Sequence, residues 1–135
     1  MSEENPAMVA AQASWRCVQA KDKEGWLALM TDDVHIEDPI GVGPTNPTGE
    51  GLRGKEAVGE FFDKNIAPGT LHIETHESRV SGRESAHVLT LTKAFPNGVK
   101  SIVRGIFTYR VDETGKLTQL RGYWTMDDMT FEQPS

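Results

Sequence analysis

The spacing of apolar positions changes partway along the chain. Met8, Ala11, Trp15 and Val18 recur at helical intervals. Asn5-Pro6 makes a good start for that helix, because Asn caps and Pro is tolerated at the first helical position. "KDKEG" (residues 21–25) breaks the pattern, and Asp22 is placed to cap a short second helix carrying Trp26, Leu27 and Met30. A strand is expected over residues 34–38. A third helix is expected over about residues 55–65, with Ala57, Val58, Phe61 and Phe62 on one face. From Thr70 onward the chain reads as strands: "LHIETHESRV", "SAHVLTLTKAF", "SIVRGIFTYRV" and "KLTQLRGYWTM", divided by "SGRE", "PNG" and "DETG". Those dividers have turn chemistry, and consecutive strands on short turns form an antiparallel meander. Strands this long must twist, which gives the sheet a concave side. Helices first and strands after indicate an α+β domain, with three N-terminal helices packed on a curved, mostly antiparallel sheet.

The 135 residues suit one domain with one core, so residues 1–135 are expected to form a single unit. Hydrophobic residues at 37% and charged residues at 25% fit a soluble globular chain. "MSEENPAMVA" has neither a basic stretch nor an apolar run, so it does not read as a signal peptide. No apolar run is long enough to span a bilayer. The one cysteine, Cys17, excludes an internal disulfide and fits a reducing compartment, so a cytoplasmic location is expected. A net charge of −6 without a basic block argues against nucleic acid and against an anionic membrane as partner. It leaves room for a neutral, apolar ligand. Residues 42–54, "VGPTNPTGEGLRG", are rich in Gly and Pro and are expected to form a loop or lid.

The stretch "DDVHIEDPIG" (32–41) carries the candidate chemistry. In a strand, Val34, Ile36 and Asp38 share one face, and His35 and Glu37 share the other. The Val/Ile face turns inward, so Asp38 enters an apolar space. Burial raises the pKa of a carboxyl. A carboxylate with a modestly raised pKa can take a proton from a carbon next to a carbonyl. An Asp before a proline is also a common turn former. On the residues alone both readings stand.

The order of elements, together with "GWLALMTDDVHIEDPIG", "LRGKEAVGEFF" and "FTYRVDETGKLTQLRGYW", resembles the ketosteroid isomerase branch of the NTF2-like/SnoaL-like superfamily over nearly the whole chain. "SWRCVQA", "EGWLALM" and "RGYW" are similar to actinobacterial steroid-isomerase-like proteins. The resemblance implies an NTF2-like/cystatin-like conical barrel, usually a homodimer packed through the outer sheet face. It implies no cofactor, a steroid-like ligand, and Asp38 as the base that shuttles a proton between carbons. In such isomerases a tyrosine phenol and a neutral carboxylic acid hold the charge on the dienolate oxygen. Here the tyrosine's place falls on Ser14, the acid's place on Phe107, and a further tyrosine's place on Phe62. The base is therefore present and both usual donors are replaced. That predicts weak isomerisation unless another donor reaches in, and it keeps open a non-catalytic steroid binder or carrier.

Replacement donors are Ser14 (through a bridging water), Tyr109 on the strand face of Phe107, the indole of Trp124, and His87, whose face the pattern leaves open. Each also has an ordinary reading: helix packing for Ser14, core for Tyr109 and Trp124, surface for His87. Trp124 aligns with an aromatic lining the family's ligand cavity. The expected ligand-binding set is Ser14, Val18, Phe61, Phe62, Phe107, Tyr109 and Trp124. No metal is expected. Alternation separates Asp38 from His35 and Glu37, and His72 and His76 fall on a strand. Asp127-Asp128 reads as a solvated terminus. Limonene epoxide hydrolase shares the superfamily, but needs carboxylates flanking an arginine. Arg104 is available, whereas the position matching one essential aspartate is Gly122.

Overall fold

A computed structural model of the chain describes residues 4–134; the first residues of the acidic N-terminus lie outside the described residues. The expected α+β architecture is present. Helix α1 (Pro6–Ala20) and helix α2 (Lys23–Ala28) lead into strand β1 (Met30–Glu37). Strand β2 (Leu52–Arg53) and helix α3 (Lys55–Phe61) follow, and a π-helical turn (Phe62–Ile66) extends α3. The remainder is β3 (Thr70–Ser81), β4 (Glu84–Ala94), β5 (Lys100–Val111), β6 (Leu117–Tyr123), a 3-10 turn (Met126–Asp128) and β7 (Met129–Glu132). The strands form one sheet ordered β2-β1-β6-β5-β4-β3, with β7 pairing with β5 beyond the end of β6. Every pairing is antiparallel except β1 with β6.

Both expected caps form. The Asn5 side chain accepts from the backbone N–H groups of Ala7 and Met8, at 2.8 and 3.3 Å. Asp22 accepts from the N–H of Gly25 at 2.9 Å. Helix α1 lies across the concave face of the sheet. Its start is tied to the β3–β4 turn by Asn5 donating to the Gly82 carbonyl, and its end to β3 by Gln19 accepting from Ile73 N–H. The α1 residues Ala7, Ala10, Ala11, Ser14 and Val18 are buried against that face, meeting Leu89, Val103 and Phe107 from the strands in one core.

Two expectations change. Residues 42–54 are held to the barrel wall rather than standing off as a lid. Buried Asn46 donates to the Pro39 carbonyl at 2.8 Å and accepts from Gly51 N–H at 3.0 Å. Thr45 Oγ1 donates to the Asp38 carbonyl. Gly51 has φ +76°, and a Cβ there would sit 2.5 Å from the Ile36 carbonyl, so only glycine fits this crossing of β1. The carbonyls that follow β1 thus find their partners in a segment whose composition promised no regular structure.

The chain's end also differs from the solvated terminus expected. Asp127 and Asp128 are exposed, but Thr125 and Asp128 form a capping box that turns the chain back. Strand β7 then runs beside β5, with Met129 paired to Val103 and Phe131 to Ser101.

Asn46→Ala should lower stability by about 1–3 kcal/mol, the cost of orphaning buried backbone groups. Urea unfolding measures it, and an unchanged midpoint would show that the loop does not hold the segment after β1.

Candidate active site

A cavity of about 380 Å³ lies between α1, the π turn and the concave face of the sheet. Its wall is largely apolar, with Ile36, Leu89, Val103, Leu120 and Met129 among the lining residues. That volume falls in the range of small-molecule sites.

Alternation along β1 delivers the expected polarity. Val34 and Ile36 are buried, whereas Glu37 on the opposite face accepts from Arg121 Nε at 3.1 Å, across the parallel β1–β6 pair. Asp38 follows directly, just past the end of the strand and before a cis peptide to Pro39, and it lines the cavity. The chain is pinned beyond it by Ile40 N–H donating to the Gly122 carbonyl at 2.9 Å. Among the described residues the Asp38 carboxyl has no ion-pair partner. Its one side-chain partner is Trp124, whose Nε1 donates to Oδ1 at 2.6 Å. Burial pushes the Asp38 pKa up and the indole N–H pulls it partly back, with burial the larger effect.

Gly122 makes this contact possible. A Cβ there would lie 2.7 Å from Asp38 Oδ1, 3.0 Å from the Phe107 ring and 3.1 Å from Trp124 Nε1. Any larger residue must displace the carboxyl or its indole partner. Arg104 is exposed on the outer face of β5, so no arginine joins Asp38 as an epoxide hydrolase site requires.

Toward the β3–β4 turn the cavity ends on two hydroxyls, each held by an indole. Trp15 Nε1 donates to Tyr109 Oη at 2.9 Å, and Trp26 Nε1 donates to Ser14 Oγ at 2.9 Å. Burial is the main reason that the Tyr109 pKa rises, and the nearby Asp38 charge adds to it. The contacts with Trp15 and Ser14 oppose the rise without cancelling it. The phenol therefore stays protonated at neutral pH. Its oxygen accepts from Trp15, so its own proton remains available for donation.

His87 is buried on the inner face of β4, not on the surface, but it does not line the cavity. Its ring nitrogens meet the hydroxyls of Ser78 and Ser85 at 2.7 and 2.8 Å. Burial lowers its pKa to about 4, so the ring is neutral. It packs edge-on against Trp15 and Tyr109, with centroids 4.8 and 5.5 Å apart, and so braces the pair from behind.

Of the residues named as a ligand-binding set, Ser14, Val18, Phe61, Phe107, Tyr109 and Trp124 line the cavity with Asp38. Phe62 does not. The π turn carries Phe61, Asn65 and Ile66 onto the wall, while Phe62 packs behind it on Trp26, with centroids 5.6 Å apart. Trp124 also departs from one reading, since its N–H is engaged by Asp38 and is not free for a ligand oxygen. The sequence reading missed Trp15 and Trp26 as donors, and Met129 and Phe131 as wall. The alternation of "MTFE" was the available signal for the last two. Among the described residues no group of three or more His, Cys, Asp or Glu side chains is placed to hold a metal, and no helix is long and apolar enough to cross a membrane.

Several solved structures share this fold. RV0760c from Mycobacterium tuberculosis is 54% identical, with a TM-score of 0.94 over 98% of this chain and 100% of its own. A structure of RV0760c in complex with estradiol-17beta-hemisuccinate matches at 56% identity and TM-score 0.90, over 94% of this chain and 99% of that one. The Δ5-3-ketosteroid isomerase from Mycobacterium sp. is 53% identical, with a TM-score of 0.93 over 96% of this chain and 100% of its own. A limonene-epoxide-hydrolase-like enzyme of M. tuberculosis, 19% identical with a TM-score of 0.78 over 95% of this chain and 89% of its own, shares the fold alone. Residues 11–120 match the SnoaL-like domain, and the chain belongs to that family, within the fold expected of its ketosteroid-isomerase-like branch.

Proposed function

We propose that the protein binds a steroid or similar polycyclic ketone and moves a carbon–carbon double bond into conjugation with the carbonyl. The observation that carries this is Asp38: a half-buried carboxylate with no ion-pair partner among the described residues, held by one indole N–H in the wall of an apolar cavity. The similarity to a ketosteroid isomerase and to a protein seen with a steroid ester supports it.

Asp38 takes a proton from the carbon between the carbonyl and the double bond. The electron pair passes into a dienolate, and its negative charge rests on oxygen. The protonated Asp38 then returns the proton to the far carbon of the former double bond, and the carboxylate is regenerated. Tyr109, with Ser14 beside it, is the donor for the dienolate oxygen. It takes over from the family donors whose places are held by Ser14 and Phe107. The phenol and indoles are already oriented by their mutual hydrogen bonds, so little reorganisation is needed as charge develops.

The second reading is a non-catalytic steroid binder or carrier. Phe107 favours it: the ring is 2% exposed and apolar where the resemblance calls for an acid. Turnover separates the two readings. On the outer sheet face, exposed Ile106 and Tyr123 sit directly opposite each other in the β5–β6 pair, which supports the homodimer that the resemblance implies.

With a Δ5-3-ketosteroid, Asp38→Asn should lower kcat by about a hundred- to ten-thousand-fold, and Tyr109→Phe by about a hundred- to a thousand-fold. Following enone absorbance reads both; steroid binding with equally slow wild type and Asp38→Asn would favour the carrier. The same Asp38→Asn protein should melt above wild type at neutral pH. The folded pKa of Asp38 lies above its unfolded value, so stability falls as pH rises through the two and stays reduced above them. The difference should vanish below the unfolded carboxyl pKa, where wild type is protonated in both states. Trp124→Phe removes the hydrogen bond that opposes burial, so the acid limb of kcat/KM should move to higher pH. An unmoved limb would mean that the indole does not tune the base. Sedimentation equilibrium should give twice the chain mass for wild type and a smaller mass for Ile106→Glu; a monomeric wild type at micromolar concentration would remove the dimer.

A further inference from the structure

The inner face of β4 carries Leu89, Leu91, Lys93 and Phe95 in alternation, and all line the cavity. Lys93 is the one cation among the lining residues. Its ammonium lies over the Phe95 ring, 4.9 Å from the centroid. Among the described residues it has no carboxylate within ion-pair distance. Loss of water contact draws its pKa down, with no counter-charge to oppose the effect.

The sheet register places Lys93 far from the hydroxyls. Lys93 pairs with Ser101 on β5, whereas Gly122, beside the Asp38 carboxyl, pairs with Phe107. Six residues of strand separate those two levels, about 20 Å at about 3.3 Å per residue, shortened somewhat by curvature. Tyr109 lies a further two residues away from Lys93. The buried Ser101 hydroxyl also lines the cavity at the Lys93 level, between Lys93 and Phe131 in a row across β4, β5 and β7. The cavity thus has an axis: hydroxyl donors at one end, a carboxylate partway along, and an uncompensated cation at the other.

Building on the reading that the ligand is a polycyclic ketone, we propose that this ligand is an acid. Its carbonyl meets Tyr109 and Ser14, and a carboxylate on a chain that extends beyond the far ring meets Lys93 and Ser101, because the ring system alone is shorter than the separation of the two levels. A carboxylate there gives the ammonium the counter-charge that the protein does not supply, in surroundings where a charge-assisted hydrogen bond is strong. A neutral ligand covering Lys93 would strip water from the ammonium and return nothing. The plain alternative is a lysine whose stem covers apolar surface while its head remains in water.

Isothermal titration with a 3-ketosteroid bearing a carboxylate at the end of a chain on the opposite ring, and with its methyl ester, separates these readings. Wild type should bind the acid about tenfold tighter than the ester, with salt weakening the acid alone. Lys93→Met should bind the acid about tenfold more weakly and the ester within about twofold of wild type. Lys93→Glu should reject the acid still more strongly while keeping the ester. Equal affinity for acid and ester in wild type, or equal losses of both in Lys93→Met, would overturn the assignment while leaving a steroid site intact. Failure of folded wild type to bind either compound would overturn it together with the polycyclic-ketone reading.

Discussion

The carboxyl of Asp38 is half-buried in the cavity wall and has one side-chain hydrogen-bond donor among the described residues, the indole of Trp124, 2.6 Å away. Among the described residues no lysine or arginine pairs with it, and burial outweighs the indole in setting its pKa. Much of the surrounding structure keeps this costly arrangement in place. Gly122 leaves the space the carboxyl occupies, and Asn46 and Thr45 fix the carbonyls on either side of the Asp38–Pro39 bond. The parallel β1–β6 pair brings Trp124, at the end of β6, within reach of Asp38, at the end of β1. Replacing any of these would relieve local cost and loosen the position of the Asp38 carboxyl, the usual tension between stability and a strained arrangement.

The remaining polar groups of the cavity are arranged by the same economy of partners. Trp15 and Trp26, both on helices, each spend an indole N–H on a hydroxyl, and His87 closes the far side as a neutral ring between two serines. Tyr109 is left with its proton to give. Ser14 and Phe107 line the same cavity, and Tyr109 lies two residues from Phe107 on the same strand face. At the opposite end Lys93 lines the cavity without a carboxylate in ion-pair range among the described residues, so the two ends of the cavity differ in charge.

Much of this was legible in the chain. Alternation in "DDVHIEDPIG" placed Asp38 on the inner face, and the caps at Asn5 and Asp22 set the starts of both helices. Turn residues divided the meander at the right places. The hidden parts depend on pairs far apart in sequence. Trp15 and Tyr109 are 94 residues apart and Trp124 and Asp38 are 86 apart, so no local period predicts either bond. The loop over residues 42–54 was unreadable because its order comes from one buried Asn meeting backbone outside the loop. Phe62 was misplaced because a π turn shifts the face presented after Phe61. Strand β7 was overlooked because its four residues follow an acidic pair and are too short for a convincing pattern. Lys93 sat in plain alternation with Leu89 and Leu91, where a charged residue on an apolar face carried the same signal as Asp38.

The central claim is that the base and the oxyanion donors act on one polycyclic ketone held along the cavity. A crystal structure with a bound 3-ketosteroid tests it most directly. The carbonyl oxygen is expected within hydrogen-bond distance of Tyr109 Oη, with the neighbouring ring carbons against the Asp38 carboxyl. A carbonyl directed toward Lys93, or a steroid bound outside the cavity, would contradict it.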